Sequence, residues 1–167
     1  MRSLFLLLGI SLTTIPFLPT QISLAESPSL PPPSSMPLEL NLLANPTGAI
    51  TANTIYQGQL TVPSLWWAKE NSEKKLLDNW IAYPASNTEP ARVDLIVNRQ
   101  IWSLLDYMER YGFVNRLGSV ARNYRYNVRV FNYEQQRLAT YTCNFSTRPT
   151  LCSIEMNTVS KLGLWRE

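Results

Sequence analysis

Residues 92–107 read RVDLIVNRQIWSLLDY, and the change of period inside them sets the fold class. Val93, Leu95 and Val97 alternate with Arg92, Asp94 and Ile96, which is the two-residue period of a strand. Asn98 follows, a side chain that accepts from free amides at a helix start. From Arg99 the period lengthens. Ile101, Leu104, Leu105, Met108 and Tyr111 fall on one stripe at helical spacing, expected to face the core.

The same reading extends in both directions. Gly112 is expected to stop or bend the helix. FVNRLGSVARNY (113–124) repeats the stripe with Phe113, Leu117, Val120, Ala121 and Tyr124. RYNVRVF (125–131) is a strand, NYEQQ a turn, and Leu138–Phe145 and Leu151–Met156 are two further strands. Upstream, LLDNWIAY (76–83) is a strand ended by Pro84. SLWWAKENSEKK forms a short helix capped by Ser64. Trp80 and Trp102 belong to the core or its rim. Hairpin-linked strands with a helical insert point to an α+β fold: a small, mostly antiparallel sheet, helices packed on one face, and one hairpin disulfide.

The disulfide expectation rests on Cys143 and Cys152, the only cysteines. As strand residues, Ala139, Tyr141, Cys143 and Phe145 share a face, and so do Cys152, Ile154 and Met156. Both sulfurs then lie on the more apolar face of two strands folding back around NFSTRPTL. The chain has no histidine. Two cysteines supply only half of a tetrahedral zinc shell, and no CxxC redox motif is present. No metal and no cofactor are expected. Asn144-Phe145-Ser146 is a glycosylation triplet, which matters only in a eukaryotic host.

The N-terminus reads MRSLFLLLGISLTTIPFLPTQISLAES. Arg2 precedes an apolar run from Leu4 to Ile15, and Ser23-Leu24-Ala25 places small residues where a signal peptidase reads. Residues 1–25 are thus expected to be a cleaved signal peptide, and the chain to be exported, where paired cysteines oxidise. The run falls short of the roughly 20 apolar residues a spanning helix needs. The mature chain, from Glu26, is expected to contain no transmembrane span. Residues 26–63 carry seven prolines and two charges, Glu26 and Glu39, and read as a Pro-rich linker. Residues 64–167 are then a single α+β domain containing all five tryptophans.

The strings PSLWWAKE, DNWIAYP, RVDLIVNRQIWSLLDY, RYGFVNRLG, YNVRVFN and ATYTCNF resemble a family of small exported proteins of cyanobacteria. The resemblance implies a periplasmic or thylakoid-lumen home. It carries over no activity and no site residue.

The residue inventory excludes several chemistries. A serine or cysteine nucleophile usually needs histidine as its base. Lys69, Lys74 and Lys75 lie in a polar stretch with no supporting motif. GxSxG, Walker and GxGxxG sequences are absent. Asp106 and Glu109, three apart on the helix, could in principle serve a carboxylate-dependent hydrolase of cell-wall glycans. Asp106 instead faces Arg110 four residues on, an ordinary surface pair. Asp94, mid-strand between Val93 and Leu95, is expected to pair with an arginine.

Arginine and aromatic residues carry the stronger signal. Between Arg92 and Arg148 stand nine arginines, no lysine and four acids, a formal charge of +5. In ARNYRYNVRVF, alternation places Tyr124, Tyr126, Val128 and Val130 on one face and Arg125, Asn127, Arg129 and Phe131 on the other. Arginine forks bind carboxylate and phosphate at two points and stack on rings. The expected function is an exported non-catalytic binding module. Its site is Arg122, Arg125, Arg129, Tyr124 and Tyr126, with Trp66 and Trp67 as aromatic anchors. Its partner is an envelope or lumenal protein or an anionic polymer or lipid surface. Export removes nucleic acid from reach. The competing expectation is a solvated sheet face whose arginines pair locally.

Overall fold

In the computed structural model the described residues are 29–54 and 75–157. Six strands form one sheet: β1 (Ile50–Thr51), β2 (Leu77–Tyr83), β3 (Arg92–Val97), β4 (Asn127–Phe131), β5 (Arg137–Asn144) and β6 (Leu151–Met156). They lie side by side in chain order. Every neighbouring pair is antiparallel except β3 and β4, which are parallel. A parallel neighbour needs a long crossover. Two helices supply it: α1 (Arg99–Leu104) and α2 (Tyr107–Asn123). The fold is α+β, mostly antiparallel, with the helices on one face. The short helix expected from Ser64 and the signal segment 1–25 lie outside the described residues.

The register explains the two faces. Ile50, Ala82, Val93, Val128, Tyr141 and Ile154 form one row across all six strands. This row faces the helices and belongs to the main core with Trp80, Leu95, Val130, Trp102, Phe113, Leu117 and Ala121. Thr51, Ile81, Asp94, Arg129, Thr140 and Glu155 form the next row, on the opposite face. Cys143 opposes Cys152 directly and the two are bonded, pinning β5 to β6.

The helical insert departs from expectation at its break. α2 runs straight through Gly112, and the chain breaks at Leu105-Asp106 instead. Asp106 Oδ1 accepts from Glu109 N, and Glu109 Oε2 accepts from Asp106 N, both at 2.8 Å. This reciprocal capping box starts a new helix, whereas one glycine costs a helix interior only about 1 kcal/mol. The restart resets which residues point inward. Ile101 and Leu105 pack on the core. Leu104, Tyr107, Met108 and Tyr111 point outward, 80%, 55%, 68% and 38% exposed. The stripe expected to be buried is therefore divided, and its larger part faces solvent.

The N-terminal part of the expected linker is folded onto the sheet. Leu38 and Leu42, the latter in a 3-10 turn at Leu40–Leu43, are buried against Ile81, Ile96 and Phe131. Ile50 and Thr51 join the sheet as β1. Asn144 Nδ2 donates to Ser29 O at 2.8 Å, and Asn53 Nδ2 to Leu43 O at 3.2 Å. Residues 29–44 thus form a strap across the face the helices leave open. Its prolines satisfy composition rules for a linker, but Leu38 and Leu42 give it enough apolar surface to dock.

Candidate functional site

The expected arginine face is not assembled in the folded chain. Arg129 is 2% exposed. Its Nε and one terminal nitrogen donate to Asp94 Oδ1 and Oδ2 at 2.8 and 2.6 Å. The other terminal nitrogen donates to the strap carbonyls of Ser34 and Met36 at 3.0 and 2.6 Å. Four of the fork's five N–H donors are thereby used, and its guanidinium lies over Phe131, 4.9 Å from the ring centre. The reason is the strap: alternation correctly puts Arg129 on the face away from the helices, but that face is covered.

Arg92 lies in the same layer. Its guanidinium sits 4.0 Å above the Tyr83 ring and within 4.0 Å of Asp94. Burial pushes the Asp94 carboxyl above its ordinary value, with the Arg129 contacts working against it. Burial, and then the Asp94 charge, pushes the Tyr83 phenol up to about 12. These are responses of a sealed polar layer, and the expectation that Asp94 pairs with an arginine is met by Arg129.

The remaining site residues scatter. Arg125 has φ of 65°, in the left-handed region, so it turns the chain into β4 and does not continue the strand alternation. It donates to Phe145 O at 3.4 Å and lies 5.6 Å from that ring. Tyr126 is buried in the main core, and burial raises its phenol. Tyr124 is exposed, just past α2. Arg122 is exposed in the last turn of α2. Trp66 and Trp67 lie outside the described residues. Asp106 and Glu109 are committed to the capping box, and the surface pair expected between Asp106 and Arg110 does not form. Arg110 Nε instead donates to Trp102 O at 3.1 Å.

Two surface features are built by the fold. The first is the outward side of α2, where the rings of Tyr107 and Tyr111 stack with centres 6.4 Å apart. Met108 on α2 and Leu104 at the end of α1 are exposed as well. This stripe runs into a groove of about 360 Å3 between α2 and β6, walled by Tyr111, Asn115 and Arg122 on the helix and Leu151, Cys152 and Ile154 on the strand. The second is a polar cleft of about 430 Å3 at the carboxyl ends of β3 and β4. It is bridged by the exposed Arg99–Glu134 pair at 3.1 Å, and Asn79 Nδ2 donates to Tyr133 Oη there at 2.7 Å.

Of the described site residues named from sequence, Arg122 lies in the α2–β6 groove, and Arg129 lines a smaller hollow beside the strap, where it is already bonded to Asp94 and the strap carbonyls. The aromatic stripe beside Arg122 is a surface that helical spacing alone assigns to the core. The signal that marks it is Asp106-x-x-Glu109, whose capping box restarts the helix and turns Met108 and Tyr111 outward. Among the described residues, no helix is long and apolar enough to cross a membrane. Comparisons with protein-family models, with curated proteins and with solved structures return no match.

Proposed function

We propose that this chain is an exported, non-catalytic binding module that holds a protein partner through the outward stripe of α2. The observation that carries the reading is the exposure of Tyr107, Met108 and Tyr111 on one face of α2, with the exposed Leu104 just before it at the end of α1. Contiguous apolar surface of this kind marks interaction sites, and tyrosine and methionine are enriched where proteins dock. The engagement of Arg129 with Asp94, and of Arg125 with Phe145, favours a protein partner over an anionic polymer or lipid surface. A glycan hydrolase gains no support, because the candidate carboxylates Asp106 and Glu109 serve backbone amides.

Export to the periplasm or thylakoid lumen is part of the proposal. The leader-like N-terminus and the Cys143–Cys152 bond support it. Mass spectrometry of protein from its own cells is expected to give a mature N-terminus at Glu26 with both sulfurs oxidised. An intact Met1 or free thiols would count against export.

Affinity capture from native envelope tests the binding role. Met108→Glu and Tyr107→Ser are exposed changes and should leave the melting temperature within a degree or two. Both should deplete the captured partner at least tenfold. Undiminished capture by both variants would refute the reading.

A further inference from the structure

Among the described residues β6 is the outer strand of the sheet, and Glu155 is the one charge it carries as an edge guard. Exposed edges are normally guarded by proline, lysine, a bulge or a covering segment. Leu151–Met156 reads LCSIEM, without proline or lysine, and pairs with β5 without a register shift. Among the described residues nothing pairs with its other side.

The hydrogen-bond phase says which groups face outward. Asn157 N donates to Leu138 O at 2.8 Å, so this position is a hydrogen-bonded pair. Bonded and non-bonded pairs alternate along an antiparallel ladder. Ser153 and Glu155 therefore bond to β5. The backbone groups of Cys152, Ile154 and Met156 point away from it. Side chains alternate with the same period, and Cys152, Ile154 and Met156 lie on the helix side of the sheet with the main core. Glu155 belongs to the opposite row with Arg129 and Thr140.

A strand laid along β6 would thus insert alternate side chains into the groove beneath α2. Arg122 is the one ionised side chain among the described residues lining it. Tyr111 and Ile154 supply apolar walls. The groove suits an extended segment with apolar residues and a carboxylate at the position reaching Arg122. A second copy of this chain fits less well, because the groove-side residues of its own β6 are Cys152, Ile154 and Met156, none of them acidic.

We infer that β6 accepts an extended, carboxylate-bearing segment of a protein partner by strand addition, with Arg122 pairing its acid. The inference rests on the binding role proposed above and specifies its mode. The added strand gains affinity from backbone pairing, and Arg122 selects the sign of the charge.

Residue-resolved hydrogen exchange on the full mature chain tests it. The probe is an end-blocked hexapeptide, Val-Thr-Glu-Thr-Val-Thr, which puts both valines and the glutamate on one face, with a second in which lysine replaces glutamate. The acidic peptide should slow exchange at Cys152, Ile154 and Met156 and leave Ser153 and Glu155 unchanged. It should bind about fivefold more tightly than the lysine peptide, the scale of one exposed charge pair. Arg122→Glu should reverse that preference. Equal binding of the two peptides, or no slowing at these three amides, overturns the inference. So does slow exchange at the same amides in the free chain. In that case a second copy, detected by sedimentation, or residues 158–167, detected by ending the chain at Asn157, already occupies the edge. If Met108→Glu abolishes partner capture while β6 stays silent, the binding role stands and strand addition does not.

Discussion

Arg129 on β4 and Asp94 on β3 stand opposite each other in the sheet's single parallel pairing, and they meet through two hydrogen bonds of 2.8 and 2.6 Å. Both side chains are buried, and the third arm of the fork holds the strap. Removing one partner from such a pair leaves a lone buried charge. Arg129→Ala is expected to cost about 3–5 kcal/mol in chemical denaturation. The cost should grow as pH rises out of the acid range, because Asp94, left with Arg92 alone at 4.0 Å, must then ionise against its burial. Replacing both, as Arg129→Met with Asp94→Leu, should recover most of the loss.

The strap is held by apolar contact as well as by Arg129. Leu42 is buried against Ile81, Ile96 and Phe131. Leu42→Ala should cost about 2–3 kcal/mol, the lower part of the range for emptying a core leucine site. Limited proteolysis within residues 29–49 should speed up in parallel. Leu30→Ala, at an exposed position, should change stability by less than about 0.5 kcal/mol.

Gly118 and Gly112 lie in the same helix with opposite requirements. A Cβ at Gly118 would overlap the Tyr141 ring, so this glycine lets α2 approach the sheet closely. Gly118→Ala is expected to destabilise by about 1–3 kcal/mol through overpacking. At Gly112 the nearest atom is the flexible end of Arg116, at 3.4 Å. Gly112→Ala should therefore gain up to about 1 kcal/mol from helix propensity. Thermal unfolding of the two variants under one condition gives the comparison.

Tyr83 links the polar layer to alkaline pH. Its phenol titrates at about 12 in the folded chain against an ordinary 10.0, because burial and Asp94 oppose the phenolate. The folded state holds this proton more tightly than the unfolded state. The stabilisation is complete below pH 10 and is lost as pH rises from 10 through about 12. Unfolding measured across pH 9–12 should show that decline, and Tyr83→Phe should shrink it. Tyr126, whose phenol burial also raises, keeps part of the slope in the variant.

The strands and the helical crossover were legible because each announces itself locally. Val93, Leu95 and Val97 alternate, Asn98 caps, and Cys143 and Cys152 sit in phase on two strands that meet. The candidate site was less legible. Alternation through ARNYRYNVRVF implies a strand from Arg125, whereas β4 begins at Asn127 after a left-handed turn. Helical spacing assigns Met108 and Tyr111 to the core with Gly112 as the break, whereas the capping box at Asp106 restarts the helix and turns them outward.

By itself the sequence determined the periods: two along β2 to β6, 3.6 along the insert, and the phase that brings the cysteines together. Those depend on neighbours in the chain, whose side chains share a face by backbone geometry alone. Only the tertiary structure decided what covers each face. Arg129 is buried because a strap 85 or more residues earlier in the chain crosses above it. Leu104, Tyr107, Met108 and Tyr111 are exposed because no described segment does the same for them. Burial is a property of what packs from elsewhere, and alternation carries no information about it.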